Sequence, residues 1–370
     1  MKKKICFVGL DAYPVLNPAK GTHYFGGESV QQTLLAKAFR DIGYDVSLLS
    51  LDYGQEDGEL IEGITVYKTY FEGEGLPVLR FLYPKMTSIL SALKKSDADV
   101  YFQSCAGMLT GIVAWFCQKH GKKFIFRLAH DNDCIPNELI INNWRDKKLY
   151  EYGLKRASLI SAQGVRQKAL MSKNYGLAST PVNMTVQLPT NSSGNTKDID
   201  ILWVNNIRQF KRPELVLELA KLVPHLCIAM IGGPVSGSED LYTCLKEQAS
   251  NIKNLNFLGA VPYHQVNSYF ERSKIFANTS DSEGFPNSFL QAWIRGVPVV
   301  SFFDPDGLID ENHLGIIPTD ISDMANSISK LLGNNEHLLA MGKASKLFAE
   351  ENYSSVVVAR LYETLLDSAI

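Results

Sequence analysis

Short apolar runs alternate with longer segments whose apolar residues recur at helical spacing. Ile5–Leu10 reads as a buried first strand. In Glu28–Asp41 the residues Val30, Leu34, Leu35, Ala38 and Phe39 share one helical face, and Gly43 closes it. Strands are then predicted at Val46–Leu51, Thr65–Tyr70, Val100–Gln103, Phe124–Leu128 and Leu159–Ala162. Helices are predicted near Val78–Lys95, Thr110–His120 and Trp144–Lys155. Pro189–Lys197 (PTNSSGNTK) breaks the pattern with turn formers and reads as a linker. The alternation restarts with strands Ile201–Val204, Cys227–Ile231, Leu255–Leu258 and Ile275–Asn278 and a helix Pro213–Leu222. It ends in helices at Asp323–Leu332, Leu338–Glu350 and Ser355–Leu366. Alternating strands and helices imply mostly parallel sheets covered on both faces, so the fold class is α/β.

Composition narrows the picture. The 370 residues suffice for two domains, and 45% hydrophobic with 21% charged residues is ordinary for a globular protein. A net charge of −2 argues against a nucleic-acid partner, which calls for a basic surface. Six scattered cysteines without a C-x-x-C pair suit a reducing, cytoplasmic setting better than disulfides or a zinc site. Lys2-Lys3-Lys4 before ICFVGL imitates a signal peptide, but Asp11 and Pro14 interrupt the run. No run is long enough to span a bilayer.

The richest stretch chemically is Ser280–Ser301, SDSEGFPNSFLQAWIRGVPVVS. Asp281 and Glu283 open it, and the chain turns through Gly284 and Pro286. Asn287 suits a helix N-cap, with a helix expected from Ser288 to Arg295 and a stop at Gly296. That helix is apolar nearly all round except for Gln291, which needs a hydrogen-bond partner if buried. Free amides at its start suit an anion. A tight turn into a core helix, with a satisfied core glutamine, explains the same residues equally well.

Glu-Gly-Phe-Pro-Asn, an apolar helix with a polar residue eight after the Glu, and Gly-Val-Pro-Val-Val together resemble the signature of family 4 retaining glycosyltransferases. The resemblance implies the GT-B fold: two facing Rossmann-like domains with parallel sheets, and a C-terminal helix crossing back to the first domain. The boundaries it suggests are 1–188 (acceptor side), a linker at 189–197, 198–350 (donor side) and a final helix at 351–370. By the same resemblance Glu283 meets the donor sugar, and Phe285, Pro286, Asn287 and Ser288 hold its hydroxyls and diphosphate. The second acidic position, which binds the nucleotide ribose in the family, is here Gln291. An amide still pairs with hydroxyls, so altered nucleotide binding is expected.

Three further loops sit at strand ends. Gly26-Gly27-Glu28 stands before the first long helix, and bare glycine lets a phosphate approach the backbone closely. In NNIRQFKRP, Arg208 and Lys211 suit a diphosphate, Arg through paired N–H groups and Lys as a point charge. Read locally, the first is as often plain turn chemistry and the second a solvated basic loop; the resemblance makes them the diphosphate loops. It also carries His130, after Phe124–Leu128, to the donor sugar, and Gly232-Gly233 and Pro262-Tyr263 to the nucleotide pocket. Asp131-Asn132-Asp133 imitates a metal-binding D-x-D, but that spacing recurs at Asp97/Asp99, Asp198/Asp200 and Asp304/Asp306. No metal and no cofactor are expected, since Arg208, Lys211 and helix starts can neutralise the leaving group.

The expected enzyme is a retaining, metal-independent glycosyltransferase. Its donor is a nucleotide-diphosphate sugar and its acceptor a saccharide or lipid-linked saccharide. Two other classes remain open: a glycoside hydrolase using Asp281 and Glu283, and a GT-B epimerase or non-catalytic sugar-nucleotide binder, which Gln291 would permit. Arg80, Lys85, Lys94 and Lys95 among Leu, Phe and Tyr make 78–95 either a peripheral contact with the inner face of the membrane or a core helix with a basic face.

Overall fold

The computed structural model describes residues 2–18, 27–76, 79–189, 196–281 and 283–368. The chain divides into two compact units, Met1–Thr185 with Ser355–Ile370, and Val186–Ser354. The helix expected to end at Glu350 continues to Tyr353, so the chain leaves the second unit at Ser354. Most of the expected linker lies outside the described residues.

The first unit is built on β1 (Lys4–Val8), β2 (Asp45–Ser50), β3 (Glu59–Ile61), β4 (Ile64–Lys68), β5 (Val100–Ser104), β6 (Lys123–Arg127), β7 (Leu159–Ala162) and β8 (Thr180–Pro181). They form one sheet in the order β3-β4-β2-β1-β5-β6-β7-β8, parallel except where β3 runs against β4. The second unit has β9 (Ile199–Val204), β10 (Ile228–Ile231), β11 (Leu255–Gly259), β12 (Ser273–Asn278), β13 (Val299–Ser301) and β14 (Gly315–Ile316), ordered β11-β10-β9-β12-β13-β14 and parallel throughout. In each sheet the chain starts centrally, works outward to one side, and then returns to fill the other. The strand order therefore reverses between β1 and β5 and between β9 and β12. Loops leaving the carboxyl ends of such neighbours diverge and open a crevice, where ligands of open α/β sheets bind.

Burial on both faces explains why these strands read as unbroken apolar runs. Ile5, Cys6, Phe7 and Val8 of β1 are all buried, as are Ile201, Leu202 and Trp203 of β9. Helices Met108–His120 and Trp144–Leu154 touch backbone to backbone: a Cβ on Gly111 would lie 2.5 Å from the Leu149 carbonyl oxygen, and one on Gly153 would lie 2.4 Å from that of Thr110.

Several elements differ from the expected pattern. Strands β3, β8 and β14 are only two or three residues long and carry too little apolar sequence to announce themselves. Helices Val165–Tyr175, Glu239–Ala249 and Tyr263–Arg272 were also not predicted; the first two bury few apolar residues, so their helical periodicity is faint. In the segment expected as one helix from Val78, residue 78 lies outside the described residues. Phe81–Met86 forms a π-helical turn interrupted at Tyr83, and a regular helix runs only from Thr87 to Ser96. Its Ile89, Ala92 and Leu93 are buried, so the apolar face of that helix belongs to the core.

The C-terminal helix Ser355–Ser368 packs against the first long helix, Gly27–Asp41, and buries Val358, Ala359, Tyr362 and Leu366. Tyr362 is wholly enclosed; its ring meets Phe102 edge-on at 5.6 Å, and its hydroxyl lies 2.8 Å from Ser161 Oγ. Tyr362→Phe should cost about 1 kcal/mol, the worth of one buried hydrogen bond. Tyr362→Ala should cost about 3–5 kcal/mol through the cavity left behind. Urea denaturation followed separately in each unit should place both losses in the first one.

Candidate functional site

The reversal between β9 and β12 collects the charged residues of the second unit. β9 leads through Asn205 to a 3-10 turn, Gln209–Lys211, with Arg208 extended before it. β12 leads through Thr279 and Ser280 to Asp281 and Glu283. A buried hydrogen-bond relay ties these ends together. Trp203 Nε1 donates to Thr279 Oγ1 (3.0 Å), and Thr279 Oγ1 donates to the Lys211 carbonyl (2.8 Å). The Asp281 amide adds a bond to the Phe210 carbonyl (3.0 Å), so the two loops are fixed to each other through main chain.

On that frame Lys211 Nζ donates to Glu283 Oε2, and Ser280 Oγ donates to the other carboxylate oxygen, Oε1, at 2.6 Å. The side chains are 12% and 9% exposed, so the pair is largely withdrawn from solvent. Burial lowers the Lys211 ammonium below its ordinary value; Glu283 draws it back up, and the neighbouring Arg208 lowers it again. Arg208 is exposed, and its charge is felt at Lys211. Arg212, with φ +49°, braces the turn by pairing with Glu214 (2.6 Å) and Asp281 (3.1 Å).

Arg208, Lys211 and Glu283 are thus brought together. Gly232 stands at the end of β10, where a Cβ would lie 2.2 Å from the Asn205 carbonyl oxygen, so only glycine lets the β9 and β10 loops approach this closely. The helix after Glu283 spans Asn287–Trp293, with Pro286 rather than Asn287 at its cap position and no side-chain cap. Proline's fixed φ (−72° here) sets the entry, and Asn287 becomes the first helical residue, followed by Ser288. The helix stops at Trp293, short of the expected Arg295, because the chain tightens there: the Arg295 and Gly296 amides bond to the Ala292 and Trp293 carbonyls, and Gly296 has φ +65°. At two turns its dipole is modest.

The ring of Phe285 packs near Tyr353 and Trp293, at 5.3 and 6.3 Å. Pro286 is buried, and its carbonyl accepts from the Phe289 amide. Gln291 is 9% exposed on the buried face of the helix; its carbonyl accepts from Arg295 Nη1. Its side-chain amide has no hydrogen-bond partner among the described residues.

Three expected residues belong to the first unit. Gly27 is the first residue of the helix Gly27–Asp41, and Gly26 lies outside the described residues. His130 caps a short 3-10 turn, Asp131–Cys134: its Nδ1 accepts from the Asn132 amide (3.2 Å), and Asp133 accepts from the amides of Ala129 (2.8 Å) and His130 (3.2 Å). With Nδ1 an acceptor, the neutral imidazole carries its proton on Nε2, leaving that N–H for a ligand. Thr279, Ser280 and Arg212, which position the ion pair, were not expected; nothing local marks a threonine or serine at a strand end. Among the described residues no group of three His, Cys, Asp or Glu side chains could hold a metal ion, and no helix is long and apolar enough to cross a membrane.

Residues 188–348 match the family model described as Glycosyl transferases group 1. The chain is 29% identical over 250 residues to the O-antigen biosynthesis glycosyltransferase WbnH of Escherichia coli, covering 62% of this chain and 70% of that one. It is 26% identical over 139 residues to the D-inositol 3-phosphate glycosyltransferase of Mycobacteroides abscessus, 36% of this chain and 31% of that one. Among solved structures, Anabaena Alr3699/HepE in complex with UDP and glucose superposes with a TM-score of 0.75 at 14% identity, over 99% of this chain and 100% of that one. Sucrose-phosphate synthase from Thermosynechococcus elongatus gives 0.73 at 14% identity, over 99% and 100%. The fold is therefore GT-B, and the enzyme class is glycosyltransferase.

Removing Glu283 should leave Lys211 desolvated and without its counter-charge. Glu283→Gln should destabilise the second unit by about 3–5 kcal/mol near neutral pH. The Lys211 ammonium then falls further below its unfolded value, so the unfolded chain binds the extra proton and stability rises with pH. The deficit should accordingly shrink as pH climbs from the folded toward the unfolded lysine value, read by denaturation at stepped pH.

Proposed function

We propose that this protein is a retaining glycosyltransferase of the family 4 type. In this reading the second unit takes a nucleotide-diphosphate sugar, and the sugar passes to a hydroxyl of a saccharide or lipid-linked saccharide held by the first unit. The observation that carries the reading is the Lys211–Glu283 pair, with Arg208 beside it, at the β9/β12 strand-order reversal. Two cations there suit a departing diphosphate, and a carboxylate one bond away suits the hydroxyls of the sugar attached to it. The E. coli relative's role in O-antigen biosynthesis and the UDP and glucose bound by the Anabaena protein support a polysaccharide product and a uridine diphosphate donor.

The donor's bond from anomeric carbon to diphosphate oxygen breaks with both electrons going to the leaving group. Arg208 and Lys211 stabilise that charge, which is where most of the protein's rate enhancement would arise. The acceptor oxygen bonds to the oxocarbenium-like carbon from the same face, retaining configuration, and its proton leaves with the diphosphate. With two cations in place the reaction needs no metal. We place the enzyme in the cytoplasm, peripheral to the inner face of the membrane if its acceptor is lipid-linked.

The hydrolase reading loses support, because Asp281 and Glu283 are each engaged by a cation of their own, Arg212 and Lys211. The non-catalytic reading rests on Gln291, and the unpartnered amide there favours a ribose contact instead.

A panel of sugar nucleotides, assayed for binding and then for nucleoside diphosphate release, tests the reading directly. Arg208→Ala and Lys211→Ala should each cost roughly 2–4 kcal/mol of transition-state stabilisation in kcat/KM; near-normal transfer in either would remove the diphosphate assignment. EDTA should leave the rate unchanged, and NMR of the product should show the donor's anomeric configuration. Gln291→Glu should improve nucleotide affinity by titration calorimetry, and unchanged or weaker binding would count against the ribose contact.

A further inference from the structure

The strand-order reversal of the first unit, between β1 and β5, carries a charge cluster that the donor chemistry does not use. Glu28 is the second residue of the helix Gly27–Asp41, and its Oε1 stands 3.8 Å from Nη1 of Arg127, the last residue of β6. The side chains are 14% and 2% exposed. At that distance the pair attracts but does not hydrogen-bond. Among the described residues, Arg127 Nε and Nη2 and Glu28 Oε1 are buried without hydrogen-bond partners. A pair serving stability alone would close these bonds, because unsatisfied buried charge is costly.

The backbone beside the pair is also unusual. Cys105, directly after β5, has φ +73°, a left-handed conformation that non-glycine residues seldom adopt. Gln103 Nε2 (2.8 Å) and Thr110 Oγ1 (3.4 Å) hold it there by donating to its carbonyl. Strain held in place by its surroundings concentrates at ligand sites. His130, three residues beyond Arg127, offers its Nε2 hydrogen from the same sheet end.

We propose that Glu28 accepts a hydrogen bond from a hydroxyl of the acceptor saccharide, with Arg127 as the positioning residue behind it. This rests on the glycosyltransferase reading above and deepens it. A carboxylate has the wrong charge for a diphosphate but suits a neutral polyol, whose hydroxyls it accepts from in charge-assisted bonds. Arg127 is too enclosed to touch substrate and acts through Glu28. Burial pushes the Glu28 carboxyl above the usual carboxylate range; Arg127 holds it back down, Ser104 and Gln32 help through hydrogen bonds, and Asp133 works against them. Cys105, an exposed residue, lies within electrostatic reach of the same carboxylate.

The test uses the full chain, with UDP as probe of the donor site and a panel of octyl glycosides as acceptors, bound by saturation-transfer NMR and assayed for transfer. Glu28→Gln should weaken the best glycoside roughly ten- to hundred-fold, the worth of one charged hydrogen bond, and leave the affinity for UDP within about two-fold. Arg127→Met should bind that glycoside normally at pH 8 and lose it as pH falls, at a higher pH than wild type, because Glu28 then protonates earlier. Unchanged glycoside binding in folded Glu28→Gln overturns the proposal, as does a parallel loss of UDP and glycoside affinity with lowered thermal stability. So does a wild type that binds UDP but none of the glycosides. If wild type binds neither UDP nor any sugar nucleotide, the glycosyltransferase reading itself falls.

Discussion

The charged site of the second unit depends on one buried ion pair, Lys211 with Glu283, and on the sheet topology that brings them together. The residues are 72 positions apart in sequence, yet each stands a few residues beyond the end of a neighbouring strand. A lysine and a carboxylate this enclosed would be expensive if held loosely. The frame removes that looseness: Trp203, Thr279 and the Lys211 carbonyl form one relay, while Ser280 fixes the second carboxylate oxygen. Every partner comes from β9, β12 or their loops, so the geometry is a property of the rigid part of the sheet. Preorganisation of this kind is what allows fixed charges to act on a transition state without first reorganising.

The first unit solves a different problem with the same topology. Its reversal holds Glu28 and Arg127, which attract each other without closing a hydrogen bond. One unit keeps its ion pair satisfied, and the other leaves hydrogen-bonding capacity open. That asymmetry fits a division in which one unit manages charge on a phosphate and the other recognises neutral hydroxyls.

Most of the architecture was legible in the sequence, because parallel strands covered on both faces write long apolar runs. Phe124–Phe126 and Ile201–Trp203 could hardly be anything else. What escaped was marginal by construction. Two- and three-residue strands carry too little apolar sequence, and Glu239–Ala249 buries little beyond Leu245 and Ala249, so its periodicity is lost in noise. The helix end at Asn287 was misplaced because asparagine is a strong capping residue in isolation, whereas Pro286 fixes the backbone one position earlier. In the site, residue types were readable and partnerships were not. An Arg and a Lys three apart suggest an anion, but nothing local reveals that the Lys meets a glutamate from another loop.

Arg127 shows where such reading fails most instructively. It stands at the end of KFIFR, where an arginine closing an apolar run would ordinarily point to solvent. Here it is among the most buried large side chains of the molecule. An arginine is retained in such a place only if something answers its charge, and Glu28 does so incompletely. In Glu28 and Arg127, as in Lys211 and Glu283, the buried charge lies beside the point where the strand order reverses. The topology supplies the crevice, and the cost of burying charge there is what a ligand's own polar groups can relieve.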